Sequence, residues 1–111
     1  MISFRIQDHE GIRKFLEGDD SYIPVSELQY LHTHPLLRPN FVTEIDDLTI
    51  EVGQKIVEKK ITGKPIERLE EIAIAIGTRM HRPEISDEDT KQILFSLRDL
   101  YKLCSDLKTK L

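Results

Sequence analysis

A chain of 111 residues, 39% hydrophobic and 32% charged with a formal charge of −4, has the size of one domain. It buries enough apolar surface to fold without disulfides or a structural metal. Cys104 is the only cysteine, so no intrachain disulfide exists and a reducing, cytoplasmic setting is expected. The longest apolar run, Ile72 to Ile76, is far too short to span a bilayer, and the opening MISFRIQDHEG lacks a basic segment followed by an apolar one, which argues against membrane spanning and secretion.

The charge is uneven. Residues 1–54 carry four basic and ten acidic groups, residues 55–85 seven and five, and residues 86–111 five and five. An acidic N-terminal half repels phosphate backbones, so nucleic acid is a poor first partner.

In chain order, Ile2, Phe4 and Ile6 alternate with polar residues, the pattern of a short strand or of an extended lead-in that plugs a core. The lead-in is preferred, because a lone strand has no mate. Asp8 is placed to cap a short helix with Ile12, Phe15 and Leu16 on one face, ended by Gly18. Pro24 suits a first turn, and Ser26 with Gln29 has capping-box spacing, which predicts a second short helix to about His32 with Leu28 and Leu31 inward. The stretch HTHPLLRPN, residues 32–40, contains two prolines and is predicted to be an irregular crossover.

Thr43 and Asp46 then predict a third helix start, with Phe41, Ile45, Leu48, Val52 and Ile56 along its stripe to about Ile61. Gly63 stops it, and Pro65 opens a helix carrying Ile66, Leu69, Ile72, Ala73, Ile76 and Met80. The short link at Thr62 to Lys64 requires these two helices to form an antiparallel hairpin. Pro83 breaks the chain, Ser86 caps, and a last helix runs to the terminus. On it Ile93, Leu97, Leu100, Cys104, Leu107 and Leu111 recur at intervals of four, three, four, three and four. The expected fold is therefore an all-α antiparallel bundle over residues 1–111, with three long helices in 41–111 and one or two short ones in the less regular 1–40.

No motif of comparable strength carries chemistry. His32 and His34 flank a threonine, but two histidines do not complete a metal site, and Cys104 sits among leucines as a buried thiol. No Gly-rich phosphate loop and no nucleophile pattern occurs, and no cofactor is expected. Glu67/Glu70 and Glu84/Asp87 resemble, in spacing, the acidic pairs that hold magnesium in all-helical nucleotide pyrophosphatases of the MazG and dUTPase-like kind. That resemblance implies a metal-dependent phosphate hydrolase and is the enzyme alternative. Glu67, Glu70 and Glu71 nevertheless fall opposite Leu69, Ala73 and Ile76, where a solvated helix face is the simpler reading. Asp20-Ser21 is similar to the dipeptide that carries phosphopantetheine in acyl carrier proteins, but only nineteen residues precede it, too few for that fold's first helix and loop.

A DNA-binding regulator using Lys59, Lys60, Lys64 or Arg68 is a further alternative. The preferred expectation is a protein–protein interaction module of adaptor, regulator, inhibitor or immunity type, homodimeric through the last helix. Leu94, Tyr101, Leu107 and Leu111 are its candidate partner-binding residues. Gly53 and Gly77 lie inside helices at a cost of up to about 1 kcal/mol each against alanine, which calls for either close helix approach or a partner docking there.

Overall fold

A computed structural model describes residues 8–60 and 63–109. They form five helices: α1 Glu10–Leu16, α2 Val25–Thr33, α3 Arg38–Glu58, α4 Lys64–Met80 and α5 Asp87–Thr109. This is the expected all-α bundle of three long helices and two short ones. The N-terminal Ile2, Phe4 and Ile6 lie outside the described residues.

α5 is the central element and packs against each of the other four helices. Its seam residues Ile93, Leu97, Leu100 and Cys104 are buried, together with Leu94, and they join the inward residues of α1 to α4 in one apolar cluster. Ile12 and Phe15 come from α1, Leu28 and Leu31 from α2, Phe41, Ile45, Val52 and Ile56 from α3, and Ile72, Ile76 and Met80 from α4. Full burial of each such side chain contributes about 1.5–3 kcal/mol, so this cluster is what holds the bundle together.

Cross-helix pairs fix the directions. Arg68 Nη2 meets Asp99 Oδ2 at 2.6 Å, and Arg79 Nε lies 3.6 Å from Asp89 Oδ1, so residue numbers rise on α4 as they fall on α5. Gly53 faces Leu69 while Ile45 and Asp46 face Gly77, so α3 and α4 are antiparallel too. α1 is clamped to α5 by Phe15 and Phe95, edge to face with centroids 5.5 Å apart. The Arg98 guanidinium stacks 4.4 Å from the Phe15 centroid and also pairs with Asp20.

Helix ends follow local chemistry, with departures from the sequence expectation. Ser86 caps α5 as expected: Asp89 N–H donates to Ser86 Oγ at 3.0 Å, and the Ser86 N–H points back to Asp89 Oδ2 at 3.4 Å. α3, in contrast, begins at Arg38 rather than near Thr43. Pro39 falls in its first turn, where the missing N–H is not needed, and Thr43 Oγ1 donates to the Pro39 carbonyl from inside the helix. Pro24 stands just before α2, and Ser26 does not cap it. Gln29 reaches out of α2 to Asp87 Oδ1 at 2.8 Å and Thr90 Oγ1 at 3.2 Å on α5. The residue at the N-cap position of α1 is His9, whose side chain does not cap the helix. α3 ends earlier than expected, at Glu58, where Lys60 adopts the left-handed conformation at φ 55° and closes the helix as glycine commonly does.

Candidate functional site

The residues expected to bind a partner on α5 divide. Leu94 is fully buried in the core, which corrects the expectation that it is surplus: all four other helices pack on α5, so its buried face is wider than a single seam. Tyr101 is half-buried and lines an open cleft of about 610 Å³ with Leu16, Glu17, Asp20, Arg98 and Lys102. The Leu107 side chain and Leu111 lie outside the described residues.

The four carboxylates of the enzyme alternative are not brought together. Glu67 and Glu70 occupy the first half of α4, whereas Glu84 and Asp87 lie beyond its other end, which is roughly 15–20 Å away along the axis at 1.5 Å per residue. Asp87 accepts instead from Gln29 Nε2. Among the described residues no group of three or more His, Cys, Asp or Glu side chains is placed to hold a metal ion. The histidines of the His32-Thr33-His34 pair also part: His32 is buried and hydrogen-bonded to the Met80 carbonyl, while His34 Nδ1 accepts from the Leu36 N–H at 3.2 Å in the turn. Ser21 is a turn residue whose N–H and hydroxyl both donate to Asp19 Oδ1. The hydroxyl bond, then the N–H bond, hold the Asp19 carboxyl below the usual aspartate value. Arg68, one of the DNA-contact candidates, is engaged by Asp99 and Glu71.

The feature that stands out lies on the outer face of the α3/α4 hairpin. Ile50 and Val57 on α3 are 58% and 76% exposed, and Ile66 and Ile74 on α4 are 38% and 65% exposed. Ile50 and Val57 are seven residues apart and share one side of α3, turned by roughly 130° on average from the buried Val52 and Ile56. Ile66, Glu70 and Ile74 follow at intervals of four and form a ridge on the same outer side of α4. With the two helices antiparallel, Val57 lies near Ile66 at one end and Ile50 near Ile74 at the other. Four large apolar side chains thus face water from one surface, which is more than the singly scattered exposed residues of an ordinary monomer.

The floor of this surface is small-residue backbone. A Cβ added to Gly53 would meet only Leu69 Cδ2, at an ordinary 3.7 Å, and one added to Gly77 would meet nothing within 4 Å. Close packing of α3 on α4 therefore does not explain either glycine. Beside Gly77 lies a notch of about 60 Å³ lined by Ile45, Asp46, Thr49, Ala73, Ile76 and His81. Ile50, Val57 and Ile74 were absent from the expected sites, although their positions off the core stripes of α3 and α4 are visible in the sequence. Ile66 was assigned to the buried stripe, and its place in the first turn of α4 leaves it partly in water.

Among the described residues no helix is long and apolar enough to cross a membrane. Among the described residues the fold is an all-α bundle whose apolar hairpin face no other helix covers. No family model, curated protein or solved structure matches it at a significant level.

Proposed function

We propose that this protein is a small helical interaction module, of the adaptor or regulator kind, that binds another protein through the outer face of α3 and α4. The observation that carries this is the exposure of Ile50, Val57, Ile66 and Ile74 on one side of the hairpin, over two helical glycines that the packing of the described residues does not require. Apolar patches of this sort on a folded domain mark surfaces that another molecule covers. Self-association through α5 has less to recommend it, because Ile93, Leu94, Leu97 and Leu100 are consumed by the intramolecular core.

The test is a double exchange, Ile50→Glu with Ile74→Glu, in the full chain expressed in its native host. Both positions are exposed, so thermal stability should stay within about 0.5 kcal/mol of the parent. The reading expects a protein retained by the parent chain to be lost from the double variant. Retention unchanged by both charges would remove the α3/α4 face as the binding surface.

A further inference from the structure

We infer that the occupant of the α3/α4 face is a basic amphipathic helix of another protein, and this rests on the interaction reading above. The argument is one of shape and charge. The apolar stripe from Val57 and Ile66 to Ile50 and Ile74 covers about two helical turns, the span over which a docked helix presents side chains at i, i+3 or i+4, and i+7. The stripe runs along the shallow groove between two antiparallel helices, whose floor at Gly53, Ala73 and Gly77 lets a third backbone approach closely. The notch beside Gly77 has room for a small aliphatic side chain of the incoming helix.

Carboxylates border this stripe. Asp46 and Asp47 flank the Ile50 end on α3 and Glu70 interrupts the ridge midway between Ile66 and Ile74, while Glu67, next to Ile66 in sequence, lines the cleft that α4 makes with Leu103 and Asp106 of α5. All four are exposed, and none is in an ion pair with a described residue. Basic groups on this side are confined to the turn, at Lys60 and Lys64. Cationic side chains flanking an apolar helix face would meet these carboxylates, and Glu70 in the stripe calls for one within the partner's own apolar face. A second copy docking by the same face with the stripes parallel would oppose carboxylate to carboxylate, and with the stripes antiparallel it would still bring the two Glu70 carboxylates into one interface near mid-stripe. An anionic lipid surface or a nucleic acid would be repelled for the same reason.

The test uses methyl-labelled full chain, read by isoleucine and valine methyl shifts. Three capped peptides of about 14 residues, roughly four helical turns, serve as probes. One is a Leu/Lys amphipathic helix, one has the same composition in scrambled order, and one replaces its lysines with glutamates. The Leu/Lys helix should move the methyls of Ile50, Val57, Ile66 and Ile74 while those of Ile12 and Ile93 in the core stay in place. Asp46→Asn with Glu70→Gln should weaken that binding about tenfold, and raising salt to about 0.5 M should weaken it further. Equal binding of the scrambled or glutamate peptide, or shifts spread away from the α3/α4 face, would overturn the inference. So would a dimer in sedimentation that Ile74→Glu abolishes, since the occupant is then a second copy. If the double glutamate exchange of the preceding section abolishes retention of a host protein but the Leu/Lys peptide moves no methyl, the interaction reading stands and the basic-helix occupant is ruled out.

Discussion

His32 Nε2 donates to the main-chain carbonyl of Met80 at 2.9 Å, joining the end of α2 to the end of α4 in a place sealed from water. The carbonyl can only accept, so Nε2 is the donor and carries a proton. Nδ1 has no hydrogen-bond partner among the described residues. The bond satisfies one of the carbonyls that every helix leaves open at its C-terminus. His32→Leu keeps the volume but strips that carbonyl of its donor inside the core, and should cost about 1–3 kcal/mol in denaturant unfolding.

Gly77→Ala should do two opposite things. The new methyl meets nothing within 4 Å and the position is helical, so unfolding free energy should rise by up to about 1 kcal/mol. The same methyl fills the floor of the α3/α4 groove, and binding of the partner should fall. A variant that gains stability and loses binding separates a docking glycine from a merely tolerated one. Calorimetry on the free chain and on the complex measures both.

Leu94 and Ile74 make a matched pair of opposites. Leu94→Ala opens a cavity in a fully buried site and should cost about 2–5 kcal/mol without altering partner recognition by the chain that remains folded. Ile74→Ser removes a side chain that water already surrounds, with nearly equal helix propensity. Its stability should stay within about 0.5 kcal/mol of the parent while partner affinity drops.

Ser21→Ala removes the hydroxyl that contributes most to holding down the Asp19 carboxyl, so the Asp19 titration should move up toward the ordinary aspartate value. A depressed folded-state value adds stability above the unfolded-state value and loses it as pH falls through the folded one. In the variant the contribution should therefore be smaller, and its acid-side loss should be complete at a higher pH. Carbon-detected NMR titration of Asp19 reads the change directly.

Much of the bundle is legible in the residue pattern, and the reasons are physical. The three-four spacing of Ile93, Leu97, Leu100 and Cys104 admits only a helix buried along one side, and Ser86 with Asp89 announces the start of that helix. Pro39 misleads because a proline that breaks a helix interior is welcome in a first turn, and only the surrounding contacts decide which it is. Leu94 misleads for a related reason. Periodicity gives the width of an apolar face but not how many neighbours share it, and α5 is covered by four helices rather than two. The α3/α4 surface was half legible: Gly53 and Gly77 were visible as anomalies, and Ile50 and Val57 as off-stripe residues. That they lie on one side of one hairpin follows only from the antiparallel register of α3 and α4.

The most direct measurement is site-specific photo-cross-linking in the native host, with p-benzoylphenylalanine placed singly at positions 50, 74 and, on exposed α5 surface, 88. The expected result is one common adduct from positions 50 and 74 and none from 88. An adduct from position 88 with none from 50 or 74 would contradict the assignment of the α3/α4 face as the surface through which this protein recognises its partner.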